Sequence, residues 1–240
     1  MTNRPRGAPG DSPALLIAAL VVFMLLTVDV LAGGPLTHLD RSVSAWARST
    51  RLPGPGWTEP GQMLADQLVN FGEREVAGII VLVAIGWICV RARTVVPFVR
   101  LAVLAAVAAS IVLALKYGIG RHAPSGVQGP EAFRSYPSGH TATAVILWGT
   151  LYSVVAEYPR YAVSRQVAWL LSWLAPLMVM VGMVLRDYHW VTDLVAAAAL
   201  CTVLLQAERL ALGHWRGARR GWGSAARARA AAVGSAPGAG

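Results

Sequence analysis

A histidine and an aspartate stand four residues apart in the segment Arg186-Asp187-Tyr188-His189-Trp190-Val191-Thr192-Asp193. On a helix that spacing places both on one face, so the Asp193 carboxylate can hold one imidazole nitrogen of His189 while the other points outward as a nucleophile. An aspartate inside an apolar run is costly without a partner, and ionisable residues in such surroundings mark function by default. A plain polar contact within the helix satisfies the same spacing, and two histidines with a carboxylate would also suit zinc. Against the metal, the lysine and arginines near these residues favour an anion over a cation.

The second histidine closes the segment Tyr136-Pro137-Ser138-Gly139-His140, immediately before the apolar run that begins at Thr141. Pro137 and Ser138 are first-turn and cap residues, and Gly139 leaves backbone amides open, so a helix starting here presents donors to an anion with His140 beside it. Capping alone accounts for the proline and serine but not for the Gly-His pair at a membrane boundary. Of the 21 basic residues only Lys116 is a lysine, and Arg121 follows it five positions later. A lone lysine in a chain that otherwise uses arginine suggests a compact ammonium on a flexible stem, although a snorkelling end-of-helix lysine would look the same. Together Lys116, Arg121, Ser138, Gly139, His140, Arg186, His189 and Asp193 describe a phosphate pocket.

The elements that must hold these residues are apolar. With 55% hydrophobic and only 14% charged residues, and a mean hydropathy of +0.52, the 240-residue chain is neither a soluble domain nor a disordered one. Six apolar runs, 14–32, 76–90, 95–115, 141–156, 167–185 and 190–212, predict six transmembrane helices. The fold class is therefore all-α, a polytopic membrane bundle over residues 14–212. Residues 1–13 form a polar N-terminal segment, and the Arg, Ala and Gly of 213–240 read as a flexible basic tail. The first run is long enough to span, so it reads as an uncleaved helix and not as a signal peptide. Between the first two runs, Leu39, Val43 and Trp46 recur at helical spacing beside Asp40, Arg41 and Arg48. That pattern suits a helix lying at the interface, ended by the Pro53-Gly54-Pro55-Gly56 cluster.

The net charge of +9 does not point to nucleic acid, because no basic stripe is interleaved with aromatics. Cys89 and Cys201 both lie in apolar runs and offer neither a disulfide framework nor a zinc ribbon. More arginines fall on the side of the N-terminus, of residues 91–93, of 160–165 and of the tail than on the other. The positive-inside rule then puts both termini in the cytoplasm and the candidate site on the outer face of the cell membrane.

These motifs resemble the type 2 phosphatidic acid phosphatase superfamily of integral-membrane lipid phosphatases, over roughly residues 35 to 205. The family signature is Lys-x6-Arg-Pro, Pro-Ser-Gly-His and Ser-Arg-x5-His-x3-Asp. Pro137 to His140 match in full, as do His189 and Asp193, and Leu39-Asp40-Arg41 is similar to the family's first outer loop. The chain departs twice: Ala123 stands where the first motif has arginine, and Gly182-Met183 where the third has Ser-Arg. Arg121 and Arg186 are the nearest replacements. The resemblance implies hydrolysis of a lipid phosphate monoester or diphosphate, isoprenyl or glycerolipid, through a phosphohistidine on His189. His140 would act as acid and base, Asp193 would orient His189, and Lys116, Arg121, Ser138, Gly139 and Arg186 would bind phosphate. No metal or cofactor is implied. The partners are the lipid phosphate and membrane lipids. A phosphotransferase of the same fold and a non-catalytic lipid-phosphate binder or transporter are the alternatives, and the number of chains per assembly is not readable.

Overall fold

The structure, a computed structural model, describes residues 12–50, 60–70, 75–124, 134–160 and 164–234. Within them the chain forms α1 (Pro13–Ala32), α2 (Leu36–Ser49), α3 (Pro60–Asn70), α4 (Val76–Ala92), α5 (Val96–Ile119), α6 (Gly139–Glu157), α7 (Arg165–Leu185) and α8 (Val191–Gly234), and no strand appears among the described residues. The Pro53-Gly54-Pro55-Gly56 cluster and most of the N-terminal segment lie outside the described residues.

The six apolar runs correspond to α1 and α4 through α8. Their ends are chemical. Ser12 caps α1 by accepting from the Leu15 amide at 3.2 Å, with Pro13 in the first turn. Gly120 closes α5 in the left-handed region at φ 60, which a residue without Cβ adopts at no steric cost. α6 is the axle of the bundle. One side buries Ala144, Trp148, Leu151 and Tyr152 against α4 and α7, and the other buries Ala142, Val145 and Ile146 against α1, α5 and α8.

The outer surfaces are apolar. Ile17, Leu25 and Leu31 of α1, Val83 and Val90 of α4, and Trp173 and Leu177 of α7 are all exposed. So broad an apolar exterior is stable only in hydrocarbon, and the chain is an integral membrane protein. Among the described residues, four helices are long and apolar enough to cross a bilayer: Pro13–Ala32, Val96–Ile119, Arg165–Leu185 and Val191–Trp215. α4 has 17 residues and α6 has 19.

Two elements differ from the sequence expectation. α3 is not marked in the sequence, because Pro60-Gly61 opens it and, among the residues whose burial is described, only Ala65 and Val69 are buried on it. It lies against α7 at Gly182, where an added Cβ would come within 2.9 Å of the Ala65 carbonyl and the Val69 amide. Only glycine permits that approach. At the other end of the chain, the expected boundary at residue 213 is not a helix end, since α8 runs on to Gly234. Alanine and arginine are strong helix formers, so a stretch without hydrophobic period still continues the helix.

Candidate active site

The loop after α5 and the first turns of α6 and α8 meet at one end of the bundle. Ser138 is the N-cap of α6, extended at φ −66 and ψ 122, and its Oγ accepts from the Thr141 amide at 3.4 Å. Its own amide donates to the Asp193 carbonyl at 3.2 Å, joining the starts of α6 and α8 main chain to main chain. The leading amides of both helices have no acceptor within the helix and carry partial positive charge.

His140, on the first turn of α6, is exposed, and its ring lies 6.4 Å from that of His189, centroid to centroid, at an interplanar angle of 65°. His189 Nδ1 faces Asp193 Oδ2 at 3.3 Å, and the Trp190 amide donates to the same oxygen at 3.3 Å. Asp193 is fully buried. With the carboxylate on Nδ1, that nitrogen carries the proton and Nε2 is the basic one. Lys116 reaches this turn from α5: its Cε lies 3.9 Å from where a Gly139 Cβ would stand, and its Nζ donates to the Arg134 carbonyl. Structure thus brings Lys116, Ser138, Gly139, His140, His189 and Asp193 together.

The two arginines are placed differently. Arg121 turns its guanidinium toward acids, with Nη1 donating to Asp193 Oδ1 and to Thr192 Oγ1 at 2.6 Å, and Nη2 to Asp40 Oδ2 at 2.7 Å. Arg186 is 2% exposed and pairs with Asp66 of α3, Nε to Oδ1 at 2.9 Å, while its Nη2 donates to the Tyr188 hydroxyl at 3.3 Å. It is the C-cap of α7, not a further helical residue, and Asp187 after it has φ 51. Met183, at the family's arginine position, is fully buried in the core.

Sequence reasoning missed three acids at the site. Asp40 accepts from the Thr192 amide at 3.1 Å and from the Thr192 hydroxyl at 2.6 Å. Asp187 accepts from Ser44 Oγ at 2.6 Å and pairs with Arg48 at 3.4 Å, which docks α2 onto the turn before His189. Asp66 is the third. Only Asp40 left a trace in the sequence, the Leu39-Asp40-Arg41 run, and nothing in that run names its partner. No group of three or more His, Cys, Asp or Glu side chains is gathered as a metal site among the described residues.

The fold is similar to the crystal structure of a transmembrane PAP2-type phosphatidylglycerolphosphate phosphatase from Bacillus subtilis, with a TM-score of 0.64 at 15% identity, over 82% of this chain and 96% of that one. No sequence among the curated proteins matches the chain. Residues 97–214 match the family model of the PAP2 superfamily. That span opens in the first turn of α5, closes in α8 and takes in every residue expected at the site, and through it the chain belongs to the PAP2 superfamily.

Proposed function

We propose that the chain is a membrane lipid phosphatase that hydrolyses a phosphate monoester or diphosphate through a phosphohistidine intermediate. The observation that carries this reading is the pairing of His140, in the first turn of α6, with His189, in the turn just before α8, their ring centroids 6.4 Å apart and His189 backed by a buried carboxylate. A ligand binder has no need of both imidazoles and the aspartate. Membership of the PAP2 superfamily and the fold shared with a phosphatidylglycerolphosphate phosphatase support the substrate class.

In the first step His189 Nε2 attacks the terminal phosphorus in line, the bond to the leaving oxygen (of the lipid alcohol in a monoester, of the inner phosphate in a diphosphate) breaks, and His140 gives that oxygen its proton. Asp193 stabilises the charge that develops on the imidazole. In the second step His140 takes a proton from water, and the oxygen attacks phosphorus. The P–N bond breaks, which releases inorganic phosphate and restores His189. Lys116, the Ser138 hydroxyl and the amides around Gly139 stabilise the equatorial oxygens. Arg121 and Arg186 contribute from positions anchored on carboxylates. These cationic and amide donors do the electrostatic work a metal would do, so activity should survive strong chelators.

In this reading α1 and α4 through α8 all span the membrane, α4 and α6 with help from flanking residues, and α2 lies at the outer interface with Leu39 and Trp46 exposed. Exposed Trp87, Trp169, Trp173 and Trp215, with Arg91 over the Trp87 ring at 5.3 Å, form an aromatic and basic belt at the opposite, cytoplasmic end. The site then faces outward from the plasma membrane and both termini face inward.

Release of inorganic phosphate from glycerolipid and isoprenyl phosphates by the purified protein in detergent is the test. His189→Ala should abolish it, and His140→Ala should leave a slow enzyme that accumulates phosphohistidine. Near-normal release by His189→Ala would overturn the mechanism.

A further inference from the structure

We infer that Asp40, on α2, is a positioning residue for His189: acting through Arg121, it sets the charge that Asp193 presents to the imidazole. The inference rests on the reading of His189 as nucleophile.

Asp40 is 2% exposed and all its bonds lead to the site. Its Oδ1 accepts from the Thr192 amide at 3.1 Å, in the first turn of α8, so an aspartate from another helix caps the helix that carries Asp193. Its Oδ2 accepts from the Thr192 hydroxyl at 2.6 Å and from Arg121 Nη2 at 2.7 Å. Arg121 spends Nη1 on Asp193 Oδ1, while Oδ2 of the same carboxylate faces His189. The order is carboxylate, guanidinium, carboxylate, imidazole. The first three members sum to one negative charge, which favours the positive charge that His189 acquires as it takes up phosphorus. A carboxylate serving only to dock α2 needs Thr192 and nothing more. The added pair with an arginine that also grips Asp193 is what connects Asp40 to the chemistry.

Other titratable and charged groups stand on the elements around the site. His140 stands on α6, Lys116 on α5 beside Gly139, and Arg186 and Asp187 in the turn before α8, paired with Asp66 of α3 and Arg48 of α2. All of these stay in place in the following comparison.

The experiment measures kcat/KM against pH for release of phosphate from a short-chain phosphatidic acid, using the full-length protein in detergent as wild type, Asp40→Asn, Arg121→Gln and the double variant. Asparagine keeps an acceptor for the Thr192 amide and removes one negative charge, so the acid limb should move to lower pH. Arg121→Gln removes the positive charge and should move it to higher pH. The double variant restores the sum of one negative charge and should return the limb toward wild type. Each single shift should be on the order of half a pH unit. Coincident limbs in all variants would make Asp40 a structural cap and overturn the inference. Should Asp40→Asn fail to fold, an unmoved limb in Arg121→Gln overturns it equally. His189→Ala, assayed alongside, separates the two ideas: activity there defeats the nucleophile itself, whereas inactivity there with unmoved limbs defeats only the role of Asp40.

Discussion

The Ser138 amide donates to the Asp193 carbonyl at 3.2 Å, so the start of α6, which carries His140, and the start of α8, which His189 precedes by two residues, are registered to one another by their own main chains. His140 lies two residues after one end of that bond and His189 four residues before the other. That link is main chain to main chain and survives any change of side chain that leaves the two backbones in place.

This bond separates two roles of Ser138. Ser138→Ala keeps the amide, and with it the spacing of the histidines, but removes the hydroxyl that caps α6. Loss of the cap should lower stability by about 1 kcal/mol. Loss of a donor to the phosphoryl oxygens should lower kcat by about 100-fold. Thermal unfolding and initial rates measured on one preparation would check both. Unchanged kcat with lowered stability would leave the hydroxyl a cap only.

The resemblance has Arg186 bind phosphate in place of the arginine missing at 183, and on a continuous helix an offset of three residues would keep it on the same face. The face is lost because α7 stops at Leu185, and Arg186, as its C-cap, is anchored on Asp66. Truncating it strands a largely buried carboxylate, so Arg186→Ala should cost about 3 kcal/mol of stability. Adding Asp66→Asn should recover most of that loss. Thermal denaturation in detergent measures both. If Arg186→Ala melts like wild type but loses turnover, phosphate and not Asp66 is the partner that matters.

The pattern of what was legible follows the range of the interactions. His189 with Asp193, and Ser138 with Gly139 and His140, are local arrangements visible in the chain, and the apolar runs declare their helices. His189, however, stands in the turn before α8 and meets Asp193 from there and not along a shared helix face. Asp40 with Thr192 joins residues 152 apart, and no periodicity encodes such a pair. α3 escaped notice because its docking depends on a property of its partner: Gly182 has no side chain, and that vacancy belongs to α7. The continuation of α8 past residue 213 was hidden by the absence of a hydrophobic period in the Arg, Ala and Gly stretch, while alanine and arginine favour helix without one.

The last prediction concerns the loop before α6. Tyr136 is fully buried, and its hydroxyl lies 2.7 Å from Thr27 Oγ1, which itself donates to the Phe23 carbonyl at 2.8 Å. Thr27 has a single hydroxyl proton, so Tyr136 is the donor in this pair. Burial pushes the phenol up from its ordinary value of 10.0. Folding therefore holds a proton that the unfolded chain sheds above pH 10, and the contribution is fully present below that pH and lost as pH climbs through the raised value. The slope in this window is at most about 1.4 kcal/mol per pH unit. Tyr136→Phe removes the slope and about 1 kcal/mol of hydrogen bonding at neutral pH, while Thr27 keeps its bond to Phe23. Melting temperatures at pH 8 and pH 10.5 should thus fall further for the wild type than for Tyr136→Phe. Equal falls in the two proteins would place the alkaline sensitivity elsewhere in the bundle.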